Sequence, residues 1–104
     1  MAITSSPINQ GGALITAQGT KTFFDISSAT VIKSAAGRIA KVSVIVAGST
    51  NGAVYDATST SGNTAANQLA VIPEAVGTYL IDMPAFNGIV IAPGTSQVVT
   101  VSYQ

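Results

Sequence analysis

Residues 38–47 alternate without a break, with Ala40, Val42, Val44 and Val46 at one parity and Ile39, Lys41, Ser43 and Ile45 at the other. A period of two places the two sets on opposite faces of an extended strand, and β-branched side chains pack well on a pleated surface. The Ala40/Val42/Val44/Val46 face is expected in a core. The same bias runs through the chain: Val, Ile and Thr supply about a third of its 104 residues, whereas Leu occurs only at positions 14, 69 and 80. Gly and Pro fall between short apolar runs, which is how a meander or sandwich is punctuated.

On this reading strands are expected over residues 13–17, 20–26, 30–33, 38–47, 53–56, 67–72, 78–83, 89–92 and 97–103, eight or nine in all. Residues 48–52 form a turn cluster, residues 57–64 an exposed Ser/Thr/Gly/Asn loop, and Pro93-Gly94 suits the centre of a type II turn. Val31, Ile32, Ala35, Ala36, Ile39 and Ala40 also recur at helical spacing, but Gly37 weakens a helix by about 1 kcal/mol relative to Ala. A hairpin turning at residues 34–37 fits better. That many short strands bury one core as two packed antiparallel sheets, an all-β sandwich of jelly-roll or other Greek-key topology. Residues 1–10 are read as an extended arm and residues 11–104 as a single β-sandwich domain.

A domain of this size buries only roughly 60–70% of the surface of its extended chain, and without Cys it has no disulfide to help. Its charge is sparse: Lys21, Lys33, Arg38 and Lys41 against Asp25, Asp56, Glu74 and Asp82, a net charge of zero. Charged residues are 8% of the chain, against about 25% in an ordinary soluble domain. The polar surface is therefore built from Ser, Thr, Asn and Gln, which suits a protein packed among many copies of itself. Scattered cations and zero net charge argue against nucleic acid as the main partner. No apolar run approaches the roughly 18 residues of a membrane span, and residues 1–7 lack the basic start and apolar run of a secretory signal. Synthesis in a cytoplasm is expected.

The chain has neither His nor Cys, which removes the commonest general base, the thiolate nucleophile, the usual transition-metal ligands and the Ser-His-Asp arrangement. A carboxylate pair drawn from the four acids, as in glycoside hydrolysis, is the remaining catalytic possibility; solvated or capping roles suit them better. Asp56 precedes a loop rich in side-chain oxygens but lacks the alternating acids of an EF-hand. Neither Gly11-Gly12 nor residues 48–52 carry a phosphate-loop ending. We expect no enzyme activity, cofactor or metal. Sugar binding would lean on exposed rings, and Phe23, Phe24, Phe86, Tyr55, Tyr79 and Tyr103 are the candidates, each with a simpler role in core or interface. Phe23 and Phe24 are adjacent in a strand, so they must point to opposite faces, and one is expected to meet a partner or loop.

The stretch Thr30-Val31-Ile32-Lys33 through Gly37-Arg38-Ile39-Ala40-Lys41-Val42-Ser43-Val44, with Gly52-Ala53-Val54-Tyr55-Asp56, resembles small proteins of tailed bacteriophages, and more loosely their capsid cement or decoration proteins. The segments Asn87-Gly88-Ile89-Val90-Ile91-Ala92-Pro93-Gly94-Thr95 and Val98-Val99-Thr100-Val101-Ser102-Tyr103 carry the same resemblance. It implies a sandwich on the outside of the phage head that binds the major capsid protein, commonly as a homotrimer, and locks the shell, with no catalytic residues. It also implies that the arm, with Ile3, Pro7 and Ile8, extends along that shell. Ile3, Pro7, Ile8, Phe23, Phe24 and Phe86 are the expected interface residues. The alternative is a tail, fibre or baseplate module that recognises a host glycan.

Overall fold

The computed structural model describes residues 19–104. Eight strands form there: β1 (Lys21–Ile26), β2 (Thr30–Lys33), β3 (Gly37–Val46), β4 (Gly52–Tyr55), β5 (Gln68–Ile72), β6 (Gly77–Ala85), β7 (Ile89–Ala92) and β8 (Val98–Tyr103). One four-stranded sheet has the order β1-β8-β3-β6 and the other β2-β7-β4-β5. The strand expected over residues 13–17 and the arm over residues 1–10 lie outside the described residues. No helix forms over residues 31–40, which divide between β2 and β3.

Every ladder is antiparallel, and the pairs β1/β8, β2/β7, β3/β6 and β4/β5 are those of one long hairpin whose tip is the loop between β4 and β5. Rolling that hairpin places β3 beside β8 and β4 beside β7, and this winding is a jelly roll. All connections except β4–β5 cross from one sheet to the other. The hairpin expected at residues 34–37 is therefore not one: β2 and β3 belong to different sheets, and the turn bridges them. Both strands carry a buried apolar face, and facing sheets bury two such faces where neighbours in one sheet would align them side by side.

Val42 and Val44 of β3 meet Val99 and Val101 of β8, and the second sheet contributes Val54, Ile72, Ile89 and Ile91 to the same cluster. Two members of the β3 alternation behave otherwise. Ile39 is fully buried, because the register shifts between Ile39 and Lys41 and returns it to the core side. Val46 is half exposed, because a second shift separates it from Val44 at the strand's end. An extra residue in one strand flips the parity beyond it, and alternation alone does not reveal where that happens.

The Pro93-Gly94 turn also departs from expectation. Gly94 does not have a positive φ; Ser96 does, at 63°. Gly94 is required by close approach, since a Cβ there would overlap the Thr50 carbonyl. Gln97 is fully buried beneath this turn: its side-chain oxygen accepts from the Gly94 N–H at 3.0 Å, and its side-chain nitrogen donates to the Pro73 carbonyl at 2.7 Å. A buried amide is tolerated because both of its ends are satisfied. It ties together two of the loops that close this end of the sandwich.

Two of the four edges are blunted. β1 carries a bulge around Asp25 (φ 56°), and β6 carries one around Asp82 (φ 54°) followed by Pro84 within the strand. The Asp82 bulge faces Arg38, with which it forms a half-exposed ion pair. Such edges discourage the addition of a foreign strand.

The packing yields a paired test in chemical denaturation. Val44→Asp puts an unpaired charge in the core and is expected to cost more than about 4 kcal/mol, abolishing the cooperative transition. Val46→Asp, two residues on, is expected to change stability by less than about 0.5 kcal/mol.

Candidate interaction surface

The winding sorts the loops into two ends. Residues 47–51, 73–76 and 93–97 close one end, where Gln97 lies; residues 34–36, 56–67 and 86–88 close the other, with Gln104. Asp56 organises the second end. Its carboxylate accepts the backbone N–H groups of Phe86 (3.0 Å), Asn87 (2.8 Å) and Gly88 (3.2 Å). The Ala57 N–H donates to the Gly88 carbonyl at 3.3 Å, and the Asn67 amide donates to the Asp56 carbonyl at 3.3 Å. Thr64 and Asn67 form a capping box on the single 3-10 turn Ala65–Asn67, so the loop closes on its own side chains. Asp56 is thus a tie between the β4–β5 tip and the β6–β7 connection. Its side chain has no oxygen left free of a backbone donor.

Burial alone would raise the Asp56 pKa, but the N–H groups of Phe86, Asn87 and Gly88 outweigh that and hold it below the ordinary value of 3.8. The four acids are spread over the fold: Asp25 and Asp82 in bulges of the two edge strands of one sheet, Glu74 in a loop at the Gln97 end, and Asp56 at the other. Among the described residues no three His, Cys, Asp or Glu side chains gather as a metal-binding group.

Phe23 and Phe24 point to opposite faces of β1. Phe23 packs against the core, and the bulge after Phe24 returns Ile26 to the same side as Phe23. Phe24 is 70% exposed on the outer face of its sheet. Cross-strand register assigns that face: Thr22 pairs with Ser102, Ser102 with Lys41, and Lys41 with Leu80, while Ser43 pairs with Thr78 and Thr100. Residues directly opposite one another share a face. Leu80 is 69% exposed there, Ile45 stands exposed at the end of β3, and Lys41 is the one charge in this register. The surface between the apolar residues is hydroxyl, with Ser43 and Thr78 in contact at 3.2 Å and the Ser102 hydroxyl accepting from the Lys41 N–H at 3.2 Å.

Phe86 is 78% exposed, but it lies elsewhere, on the β6–β7 connection held by Asp56. Of the expected interface residues, Phe24 and Phe86 are presented outward on different parts of the fold, Phe23 turns inward, and Ile3, Pro7 and Ile8 lie outside the described residues. Tyr79 and Tyr103 pack against the core as partly buried rings. Leu80 and Ile45 were not singled out by the sequence, although their parity within 78–83 and 38–47 carried the signal.

No protein-family model, curated protein or solved structure matches the chain.

The Asp56 tie predicts a pH dependence. A carboxylate whose pKa is lowered by folding stabilises the fold above its unfolded pKa and loses that contribution as pH falls through the folded one. Asp56→Asn is expected to destabilise by on the order of 2 kcal/mol at pH 7, because the neutral side chain can no longer accept three N–H groups. Denaturation curves at a series of pH values should show the gap between wild type and variant closing between about pH 5 and pH 2.

Proposed function

We propose that this protein is a non-catalytic structural component of a tailed-phage particle, a decoration protein that binds the outside of the head and reinforces the lattice of the major capsid protein. The observation that carries this reading is the outer face of the β1-β8-β3-β6 sheet. It sets two strongly exposed apolar side chains, Phe24 and Leu80, in a surface of Ser and Thr hydroxyls with a single Lys. Phe24 and Leu80 stand on its two edge strands, β1 and β6, and a partner can cover the face between them at little cost in desolvated charge. Association through many copies stabilises the assembled state by mass action, without any chemistry.

The jelly-roll sandwich, the blunted edges of this sheet and the sparse charge of the whole chain are consistent with that use. The resemblance of residues 30–56 and 87–103 to small phage proteins supplies the partner: the shell, with further copies of this chain as neighbours in a homotrimer. A tail or fibre module that binds a host glycan would be better served by several rings around one site. Phe24 and Phe86 instead stand on different parts of the fold, which favours an extended protein contact.

The amount of this chain in particles of the phage that encodes it, measured against the major capsid protein by quantitative mass spectrometry, tests the proposal. A ratio within about threefold of unity is expected for a contact that repeats with the shell. A few dozen copies would assign it to the tail, and absence would end the structural reading. The face itself is tested by Phe24→Ser with Leu80→Ser. Binding to undecorated heads should weaken at least about tenfold, while the unfolding free energy changes by less than about 0.5 kcal/mol.

A further inference from the structure

Asn is followed by Gly at two places in this chain, Asn51-Gly52 and Asn87-Gly88. In such a pair the glycine main-chain nitrogen can attack the asparagine side-chain carbonyl, because no Cβ on the second residue shields it. The new nitrogen–carbon bond closes a cyclic imide while the bond to the side-chain nitrogen breaks. A proton passes through solvent from the glycine nitrogen to the leaving group, which departs as ammonia. Water then opens the ring at either carbonyl and leaves aspartate or isoaspartate. One water is taken up and one ammonia released, with no oxidation or reduction.

Asn87 is exposed at the Asp56 end, so its side chain meets the water this reaction consumes. Gly88 cannot be exchanged for a larger residue, since a Cβ there would overlap the Ala57 carbonyl and stand 2.7 Å from that of Lys33. The susceptible pair is thus built into the packing of the corner. Asp56 stands against its reaction. The carboxylate oxygen Oδ1 accepts the Asn87 N–H at 2.8 Å and the Gly88 N–H at 3.2 Å, and Oδ2 accepts the Phe86 N–H at 3.0 Å. Losing the Gly88 proton would set a negative nitrogen beside a carboxylate, which Coulomb repulsion opposes. Successive N–H groups converge on one anion only when the peptide between them is turned as in a nest. Ring closure needs that peptide rotated until the Gly88 nitrogen eclipses the Asn87 Cβ, and the rotation carries its N–H off Asp56.

The product would act on the tie in turn. Burial raises the Asp56 pKa, and the three N–H groups together with the Asn87 side-chain amide lower it by more. A carboxylate in place of that amide puts a like charge beside Asp56. Isoaspartate in addition inserts one more main-chain carbon between the N–H groups of residues 87 and 88. We propose that Asn87 is a latent modification site: Asp56 holds off its spontaneous deamidation, and the aspartate or isoaspartate formed there releases the β6–β7 connection from the β4–β5 tip. This chemistry is independent of the partner assigned to the hydroxyl face.

The test incubates the folded protein in mildly alkaline buffer below its unfolding transition. Peptide mapping by mass spectrometry follows the mass gain and the isoaspartate at Asn87 and Asn51, with the guanidinium-denatured chain as the reference for unprotected rates. Native Asn87 is expected to react at least about tenfold more slowly than in the denatured chain. In Asp56→Ala its rate should rise at least about tenfold, while Asn51, at the opposite end of the sandwich, stays within about twofold of wild type. Asn87→Asp, made directly, should be less stable than Asn87→Ser in chemical denaturation at pH 7. That difference should narrow as pH falls and the paired carboxylates take up a proton. Native Asn87 reacting as fast as in the denatured chain would overturn the proposal, as would an unchanged or lower rate in Asp56→Ala. So would a joint rise at Asn87 and Asn51, which assigns the protection to the whole fold, or an Asn87→Asp variant as stable as Asn87→Ser.

Discussion

The strands of this protein are short, and none could persist alone; they hold because the β-branched side chains of two sheets meet in one layer. Val42, Val44, Val99 and Val101 on one side face Val54, Ile72, Ile89 and Ile91 on the other. Val and Ile lose little rotamer freedom when buried on a pleated surface, so a layer built from them stabilises efficiently for its size. The jelly-roll winding follows from the same need. Each half of the long hairpin has one face to bury, and rolling the ribbon brings every such face inward at once.

Two polar side chains, Gln97 and Asp56, tie the loops that close the ends of that layer. Gln97 holds two loops at one end with both ends of its amide, and Asp56 holds two connections at the other with both oxygens of its carboxylate. Neither tie relies on an exposed ion pair, which would contribute little in water. This explains how a chain with so few charges keeps its loops in place. The exposed ion pair found among the described residues, Arg38 with Asp82, stands at a bulge on the rim of a sheet.

With the loops fixed and two edges blunted, the molecule offers its neighbours a sheet face and two ends. The face presents Phe24 and Leu80 among hydroxyls, a surface that can be desolvated without stranding charge. One end presents Phe86 on a connection held by three N–H bonds to Asp56.

The all-β class, all eight described strands to within a few residues, and the opposed directions of Phe23 and Phe24 were legible in the sequence, because a period of two and turn-forming residues are local properties. The core parity of Val42 and Val44 was legible for the same reason. Only the tertiary structure decided that Ile39 turns in and Val46 out, since a bulge depends on the partner strand's register. It likewise decided that the β2–β3 turn crosses between sheets, that Gly94 serves close approach rather than a positive φ, and that the Asp56 carboxylate ties the backbone of the β6–β7 connection. The closeness of Lys33 and Gln104 around Gly37 could not be read from the sequence, for the two are far apart along the chain and meet because β3/β8 pairing brings Gln104 beside the start of β3. Local alternation is written in each segment's own side chains; the placement of one segment against another is set by the shared core, to which all of them contribute.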